Sequence, residues 1–517
     1  MDDVSVFPLL QLPGPCLLAV LQCCAEHDQR SLFSAARAHS RLHQAAVVAL
    51  SSITAVLPPE QNAHSVMLYL GKHGRHVAGL ELKAQHARTA SLRQLSPLMQ
   101  LSSLQLDAMM VQLHPRNGFQ GVMEAATALK QLRLSDCKLI GSKDGLAAAL
   151  SQLPSTLEHL SISCPQLNDD LSMQFPKAEF LHLQHLTHLE LASSRQQLDM
   201  GPLAQSLLAL TGLVDLRLAG WESISASTLS CTPHLTRLEL SCCYLEPDAL
   251  AGKTQLQHLG LRSCTLLGCA AGTALAQLLS QLQHPQQLTH LSVHDSVNAT
   301  EVATSPTAEA FSALVASPEL HHLEISSCTL PAATWQHLFS AGRQLSHLRS
   351  LNISAVSQPH RRPAPDTAAS ASAILLQRRP APALEGTRLV RCCPSLECLT
   401  MQNMAHNTKL LTSLQALSSL HTLRLGAFEA SAGAQHVEYR VASEEFQAVG
   451  QLAGLRELCV SHFSIYQPEL LYLTQLKQLT VLEEFVGPSC DCRKVRYICK
   501  VSCLTALGME VDRWGVW

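Results

Sequence analysis

The residues of this sequence best suited to chemistry are histidines at a repeated spacing. Five of its 26 histidines stand two residues after the first leucine of a recurring L-x-x-L-x-L pattern, namely His159, His188, His258, His290 and His322. Imidazoles on neighbouring strands could bind a metal ion or respond to pH. A duplicated repeat also explains the spacing, and no carboxylate or thiol recurs beside these histidines at a fixed distance along the chain. We therefore expect ordinary contact residues and no metal site.

A second candidate is the cysteine cluster Cys490, Cys492, Cys499 and Cys503. Four thiols this close together could hold zinc, although paired C-x-x-C knuckles are missing. The alternative is that these cysteines are small apolar residues that fill the last repeat. The 19 cysteines are an odd number spread along a large chain, which indicates reduced thiols and a cytoplasmic or nuclear location.

The sequence contains neither of two common catalytic motifs, H-E-x-x-H and G-x-S-x-G. Residues 252–254 resemble the end of a P-loop, but Pro247 occupies the position of its first glycine and a strand is predicted to follow. We therefore predict that the protein is not an enzyme and that it uses no cofactor.

Charge and hydropathy exclude further classes. The net charge is −3 and only 4% of residues are aromatic, so neither a basic surface nor base stacking indicates nucleic-acid binding. The acidic start Met1-Asp2-Asp3 differs from a signal peptide, and the apolar stretch 16–25 is too short to span a membrane. We expect no membrane partner.

The element that must position the histidines is an internal repeat. The pattern L-x-x-L-x-L, with Ile, Val or Met allowed last, recurs about every 29 residues, and a worn copy occupies 77–82. The copies begin at Leu101, Leu129, Leu157, Leu186, Leu213, Leu235, Leu256, Leu288, Leu320, Leu348, Leu396, Leu420, Leu455, Leu476 and Leu504.

Within each copy the later leucines alternate with polar residues, as in a half-buried strand. A strand this short must pair with the next repeat, so stacked repeats form a parallel sheet over one leucine core. Ala- and Leu-rich segments at 144–153, 203–210 and 275–282 favour helices between the strands. The predicted fold is an α/β solenoid of horseshoe shape, with the sheet on its concave face and helices on its convex face.

These motifs resemble those of the leucine-rich-repeat family, in its longer helix-bearing or cysteine-containing form, over residues 77–517. Family members place Asn or Cys after the strand, where the side chain bonds to backbone groups of the turn. Four cysteines stand three residues after the last apolar residue of their copy, namely Cys137, Cys243, Cys264 and Cys328.

The third and fifth positions of each copy are predicted to line the concave face. They carry charges of both signs, which suits a protein partner better than DNA or a membrane. Trp221 follows its strand closely and is either an exposed anchor for the partner or an inward-packed ring. The predicted partner-binding residues are His159, Ser161, His188, Glu190, Asp215, Arg217, Trp221, Arg237, Glu239, His258, His290, His322, Glu324, Ser350 and Asn352.

Residues 6–50 differ from the repeats and predict three short helices, with Pro15 in the first turn of the first and Asp28 at the start of the second. This segment is similar to an F-box, and the resemblance implies docking onto a Skp1-like adaptor. The matched, adaptor-binding positions are Leu12, Pro13, Leu17, Leu18, Leu21, Leu32, Phe33, Arg37 and Leu42. The alternative is an apolar cap that covers the first repeat.

The two resemblances together imply a substrate-recognition subunit of an SCF-type ubiquitin ligase, in which the F-box holds the adaptor and the repeats hold a protein substrate. The alternative is a non-catalytic leucine-rich-repeat scaffold or recognition protein without a ubiquitin role. Which protein is recognised does not follow from the residues of the concave face.

The sequence divides into five segments. Residues 1–57 form the F-box-like helical segment, 58–100 a linker with worn repeats, and 101–353 the first repeat array. A Pro-, Ala- and Arg-rich stretch at 354–392 is too long for one repeat and predicts a flexible insertion, either tolerated or used for docking. Residues 393–517 complete the array and cap it.

Overall fold

A computed structural model describes most of the chain. The described residues are 8–27, 29–49, 52–57, 70, 74–90, 100–112, 126–140, 143–164, 180–193, 200–267, 278–279, 281–282, 287–294, 308–328, 333–354, 384–402, 408–426, 443–461, 472–485 and 495–497. The chain divides into two units, Met1–Leu235 (unit 1) and Thr236–Trp517 (unit 2).

Unit 1 begins with a 3-10 turn, Pro8–Gln11, and three helices, α1 (Gly14–His27), α2 (Gln29–Ala38) and α3 (Ser40–Ala49). The three helices pack on one another. Leu17 and Leu21, one turn apart on α1, and Leu42 on α3 are buried, as expected of amphipathic helices that share a small core. Three helices lie within residues 14–49, where three short helices were predicted, whereas the proposed cap Asp28 lies outside the described residues.

The sheet of unit 1 is parallel, and its strands follow one another in chain order. β1 to β4 and β6 to β8 pair successively, while β5 pairs with the end of β3. The strands are β1 (Ser52–Leu57), β2 (Gly79–Ala90), β3 (Ser103–Gln112), β4 (Gln131–Ser135), β5 (Lys138–Ile140), β6 (His159–Cys164), β7 (His188–Ser193) and β8 (Asp215–Ala219). β1 was not predicted, because its residues were assigned to the helical segment.

Unit 2 repeats this plan, with β9, β11 and β13 to β19 paired in parallel and β10 paired with β12. Only the last strand, β20, is antiparallel to its neighbour among the described residues. The strands are β9 (Arg237–Ser241), β10 (Tyr244–Leu245), β11 (His258–Arg262), β12 (Thr265–Leu266), β13 (His290–His294), β14 (His322–Ser326), β15 (Ser350–Ser354), β16 (Cys398–Gln402), β17 (Thr422–Gly426), β18 (Glu457–Ser461), β19 (Val481–Phe485) and β20 (Val495–Tyr497).

Short helices separate the strands. A 3-10 turn spans Gly74–His76 and a longer one Ala308–Val315. The α-helices are α4 (Lys143–Ser151), α5 (Met200–Leu207), α6 (Ala226–Leu229), α7 (Thr334–Leu338), α8 (Gly386–Cys392), α9 (Thr408–Leu414) and α10 (Ser443–Gly450). Two of the three predicted helices are confirmed as α4 and α5, and half of the third, 275–282, lies outside the described residues.

The core of each unit is built from leucines of strands and helices. In β9, Leu238 and Leu240 are buried while the alternate residues are half-buried. The strand register aligns such leucines from one strand to the next. Full burial of one leucine side chain contributes roughly 1.5–3 kcal/mol to the stability of the fold. One strand of the L-x-x-L-x-L pattern per repeat, parallel pairing and a leucine core in each unit confirm the predicted α/β leucine-rich-repeat fold. The short strands β5, β10 and β12 follow that strand within their repeats.

A recurrent turn follows the strands. Cys137, Cys243, Cys264 and Cys328 are buried there, and each thiol donates to a backbone carbonyl two residues earlier in the chain. Three of these thiols also reach the carbonyl of the last apolar strand residue in the preceding repeat. The predicted role of these cysteines in the turn is confirmed.

One predicted copy was placed in the wrong frame. Glu457 of β18 lies opposite Val481 of β19, so Leu479, and not Leu476, is equivalent to Leu455. The copy at Leu504 and residues 355–383 of the predicted insertion lie outside the described residues. No helix in the described part of the chain is long and apolar enough to cross a membrane.

Candidate protein-interaction surface

The polar third and fifth residues of the repeats share one face of the sheet, which we call the open face. They alternate with the buried leucines along each strand, as β9 and β14 illustrate. Parallel register then aligns third with third and fifth with fifth positions, at about 4.8 Å between strands. Side chains far apart in the sequence therefore meet in two rows across the sheet.

In unit 1 the third-position row contains His159 and His188, whose rings lie 4.0 Å apart between centroids. Thr187 fixes the second ring, because its hydroxyl donates to the carbonyl of Glu158 at 3.1 Å and lies 2.8 Å from Nδ1 of His188. Since the single hydroxyl proton is used, His188 Nδ1 carries a hydrogen and donates to Thr187. The ring is thus held in one orientation.

The fifth-position row of unit 1 carries charges of both signs. Ser161 donates to the Glu190 carboxylate at 2.8 Å. Arg217 donates through Nε and Nη2 to the buried Asp215 carboxylate at 3.3 and 3.2 Å. At the other end of the row, Arg133 is exposed and donates through Nε to the Ser135 hydroxyl at 3.0 Å.

These residues enclose a depression of about 160 Å³ on the open face of unit 1. Six predicted partner-binding residues come together in its lining: His159, Ser161, His188, Glu190, Asp215 and Arg217. The leucines Leu132, Leu160 and Leu189 also line the depression, as do Gln131 and Arg133, which were not predicted as partner-binding residues. Gln131 occupies the third position and Arg133 the fifth position of the copy at Leu129, so the rule that found the other residues also identifies these two.

In unit 2, Glu239 joins the third and fifth positions. Its carboxylate accepts a hydrogen bond from Arg237 Nε at 3.0 Å and lies 3.3 Å from His258 Nε2. Gly260 makes this possible, because a Cβ at that position would lie only 3.2 Å from Glu239 Cγ. The missing side chain leaves room for the glutamate on the neighbouring strand.

A row of three histidines continues across unit 2. The ring centroids of His258 and His290 are 5.3 Å apart, and those of His290 and His322 are 5.9 Å apart. Partial burial lowers the pKa of His290, and the charges of His258 and His322 lower it further. Burial also lowers the pKa of His322, although the Glu324 carboxylate opposes this effect. Both rings are therefore held in the neutral form at neutral pH.

Glu324 links three strands of unit 2. Its carboxylate accepts from the Ser292 hydroxyl at 2.8 Å and from Asn352 Nδ2 at 3.0 Å. Only the amide nitrogen can donate, so the carbonyl oxygen of Asn352 points away, and it is buried without a hydrogen-bond partner. Ser350 lies half-buried in the neighbouring row, opposite His322.

The prediction that Trp221 is an exposed anchor is wrong. Its side chain is 0% exposed, and Nε1 donates to the carbonyl of Leu191 at 3.2 Å. Trp221 occupies the turn position that Cys137, Cys264 and Cys328 fill elsewhere, and it bonds to the preceding repeat in the same way. Its place three residues after Leu218 was the signal that would have predicted burial.

The predicted adaptor-binding residues divide by exposure. Pro13 and Arg37 are exposed, and Leu12 and Leu18 are half-buried. Leu17, Leu21 and Leu42 are at most 7% exposed and pack inside the helical bundle, so direct contact with an adaptor is not available to them. Leu32 and Phe33 lie on α2, and their side chains are outside the described set.

Metal or thiol chemistry gains no support from the described residues. They contain no group of three or more His, Cys, Asp or Glu side chains placed to hold a metal ion. The cluster at 490–503 is not among them. Burial raises the pKa of the Cys137 thiol to about 11, which disfavours the reactive thiolate. Lys253 of the P-loop-like stretch is buried.

The sequence matches no protein-family model and no curated protein. Three solved structures are similar to this chain at low identity. An internalin from Listeria monocytogenes is 17% identical over 70% of this chain and 82% of its own, with a TM-score of 0.37. A leucine-rich-repeat protein of Leptospira interrogans is 16% identical over 85% of this chain and 91% of its own, with a TM-score of 0.45. TLR13, in its complex with ssRNA13, is 16% identical over 83% of this chain and 57% of its own, with a TM-score of 0.41.

Proposed function

We propose that this chain is a non-catalytic protein-recognition module that binds a protein partner on the open face of its sheet. The observation that carries the proposal is the pair of polar rows, in which cross-strand bonds such as Ser161–Glu190 and Ser292–Glu324 hold side chains in place before binding. Pre-ordered side chains lose less conformational freedom when a partner docks, which favours affinity.

The charge pattern favours a protein over a nucleic acid. Carboxylates and guanidinium groups alternate on the open face of unit 1, where Glu190 and Asp215 lie in the same depression as Arg133 and Arg217. A phosphate backbone would meet these carboxylates as well as the arginines. A protein surface can supply complementary charges of both signs.

Site-specific photocrosslinking tests this proposal in cells. A photoreactive amino acid at Gln131 of unit 1, or separately at Ser350 of unit 2, should capture a protein partner. The matched control is Leu208, which is 62% exposed and lies beyond the end of α5, away from the strands. Adducts of equal size and yield from all three positions would contradict binding on the open face.

We further propose that the partner is a substrate and that α1 to α3 bind a Skp1-like adaptor within an SCF-type ubiquitin ligase. The F-box-like residues support this, as do the three helices on which they lie and the exposure of Pro13 and Arg37. With Leu17, Leu21 and Leu42 buried, the docking surface is assigned to Pro13, Leu18 and Arg37.

A purified Skp1-like adaptor should bind the full chain and should lose binding on Leu18→Glu combined with Arg37→Glu. Leu208→Glu is the matched control for the Leu18→Glu change, because it adds the same single negative charge at an exposed leucine outside the bundle. If the unaltered chain does not bind the adaptor, the alternative is favoured. In that case α1 to α3 cap the first repeat, and the protein is a scaffold without a ubiquitin role.

A further inference from the structure

Arg133 is the starting point, because its guanidinium group forms no ion pair within the described part of the chain. Its charge acts on Glu81 without a bond, since the pKa of that carboxyl is lowered mainly by the hydrogen bond from Lys83 and also by the charge of Arg133. The side chain is exposed, and its single hydrogen bond there runs from Nε to the Ser135 hydroxyl at 3.0 Å. No described carboxylate forms an ion pair with it. The two terminal nitrogens of the guanidinium group therefore present their N–H donors to solvent at the edge of the depression.

Three carboxylates on the open face of unit 1 are bonded to other groups, and Asp107, which lies opposite Ser135 on the neighbouring strand, forms no ion pair with Arg133. Glu81 accepts from Lys83 at 2.9 Å and from Thr54 at 2.9 Å. Glu190 accepts from Ser161 and Asp215 accepts from Arg217, as described above. Arg133 can therefore still bind a carboxylate that belongs to another molecule.

His159 adds a second unused group to the same depression. No described residue forms a hydrogen bond with its ring, which lies against the ring of His188 at an interplanar angle of 30°. In the sheet, Arg133 lies opposite Ser161, two residues along β6 from His159. Arg133 and His159 are thus diagonal neighbours on adjacent strands, and both line the depression.

The size of the depression limits what can enter. A volume of about 160 Å³ is enough for the end of one side chain and too little for a folded segment. The lining also contains Glu190 and Asp215, which penalise a phosphate with its charge of about −1.5 to −2 more than a single carboxylate.

We propose that the depression receives one aspartate or glutamate side chain of the protein partner. The carboxylate forms two parallel hydrogen bonds with the terminal nitrogens of Arg133, and the His159 ring lies beside it. This inference rests on the proposed function, since it names the chemistry of the partner at the open face of unit 1.

The test uses the full chain and a phage-displayed library of random peptides as the probe. Peptides selected on the chain should contain an acidic residue whose replacement by Gln weakens binding at least tenfold. On the Arg133→Met variant the same replacement should have no effect, since the two changes remove one interaction. Arg133→Lys keeps the charge but loses the paired geometry and should bind with intermediate affinity.

Arg456→Met is the matched control, because Arg456 is exposed but lies in unit 2. It should leave binding unchanged, and circular dichroism should show that both arginine variants are folded. If selected peptides bind the open face but the Gln replacement costs as much on Arg133→Met as on the unaltered chain, the carboxylate proposal is wrong while the proposed function stands.

Two other outcomes would also overturn the proposal. Binding that is tenfold tighter when phosphoserine replaces the acidic residue would assign the depression to phosphate. If no selected peptide is weakened by Arg133→Met, by charge reversal at Glu190 or by charge reversal at Glu324, the proposed function fails together with this inference.

Discussion

The open faces of the two units carry the same pattern of residues with different electrostatic results. In both units a threonine orients a histidine, through Thr187 and His188 in unit 1 and through Thr289 and His290 in unit 2, with 2.8 Å between the bonded atoms in each case. In both, a serine donates to a glutamate on the next strand at 2.8 Å. The shared pattern indicates repeats with a common template.

The difference lies in the strand that follows the glutamate. Unit 1 places Arg217 opposite Glu190, whereas unit 2 places Asn352 opposite Glu324. An amide adds no charge, so Glu190 lies opposite a positive charge and Glu324 lies opposite a neutral group, although the geometry is the same. Register thus fixes where side chains meet, and a single substitution in the neighbouring repeat decides the charge of the surface.

The largest expected effect compares the turn residue of the two units. Trp221→Ala in unit 1 should destabilise by about 3–5 kcal/mol, because it leaves a large cavity and an unpaired carbonyl at Leu191. Cys264→Ala, at the same position in unit 2, should cost about 1 kcal/mol. Hydrogen exchange read by mass spectrometry would report each unit separately. Equal protection losses in the two variants would contradict the predicted difference.

Next in size is a change that tests how closely neighbouring repeats approach. Gly450→Ala in unit 2 should destabilise by roughly 1–3 kcal/mol, because the new Cβ would lie 2.5 Å from the Tyr472 carbonyl oxygen. Gly212→Ala in unit 1 is the control, since the nearest atom is 3.8 Å away. The temperature of thermal unfolding should therefore be lowered only by Gly450→Ala. A comparable effect of Gly212→Ala would show that the spacing does not differ.

A smaller effect distinguishes the two glutamates. Glu324→Ala removes the acceptor of two hydrogen bonds and should cost about 1–2 kcal/mol, whereas Glu190→Ala removes that of one and should cost about half as much. Urea unfolding followed by circular dichroism measures both. The ranking would be refuted if Glu190→Ala were the more damaging variant.

The smallest effect is a dependence of the stability of unit 2 on pH. The folded-state pKa values of His290 and His322 lie below the ordinary 6.5, so below that pH the unfolded chain binds more protons than the folded chain. Stability of unit 2 should therefore decrease as pH falls through this range. His290→Gln with His322→Gln should flatten the dependence in urea unfolding at pH 8 and pH 5. An unchanged slope in the double variant would reject the assignment.

The sequence was sufficient for most of the sheet, because alternating leucines must face a common core. The copies at Leu129, Leu213 and Leu320 begin two residues before β4, β8 and β14. The same reasoning failed at Leu476, where leucines three residues apart satisfy two frames. Both Leu476 and Leu479 are buried, and only pairing with the preceding strand separates the frames.

The surface was predictable in outline and not in detail. Alternation alone places Glu190 and Glu324 on one face, but it does not reveal which hydrogen bonds form between strands. Whether Arg133 forms an ion pair depends on the rotamers of its neighbours, which no repeat pattern encodes. The burial of Trp221 was encoded, because its distance from the strand matched that of the turn cysteines.

The turn after the strands carries backbone strain. Five residues other than glycine have a positive φ immediately before the inward side chain of the turn, namely Ala108, Asp136, Cys242, Ser263 and Ser327. The left-handed region costs such residues roughly 1–2 kcal/mol each, and before Trp221 the same place is filled by Gly220, which escapes the penalty. Repeat duplication therefore copies a strained backbone together with the hydrogen bonds that link each turn to the preceding repeat. Substitution by glycine at these sites should raise the unfolding temperature of the array without altering the surface offered to a partner.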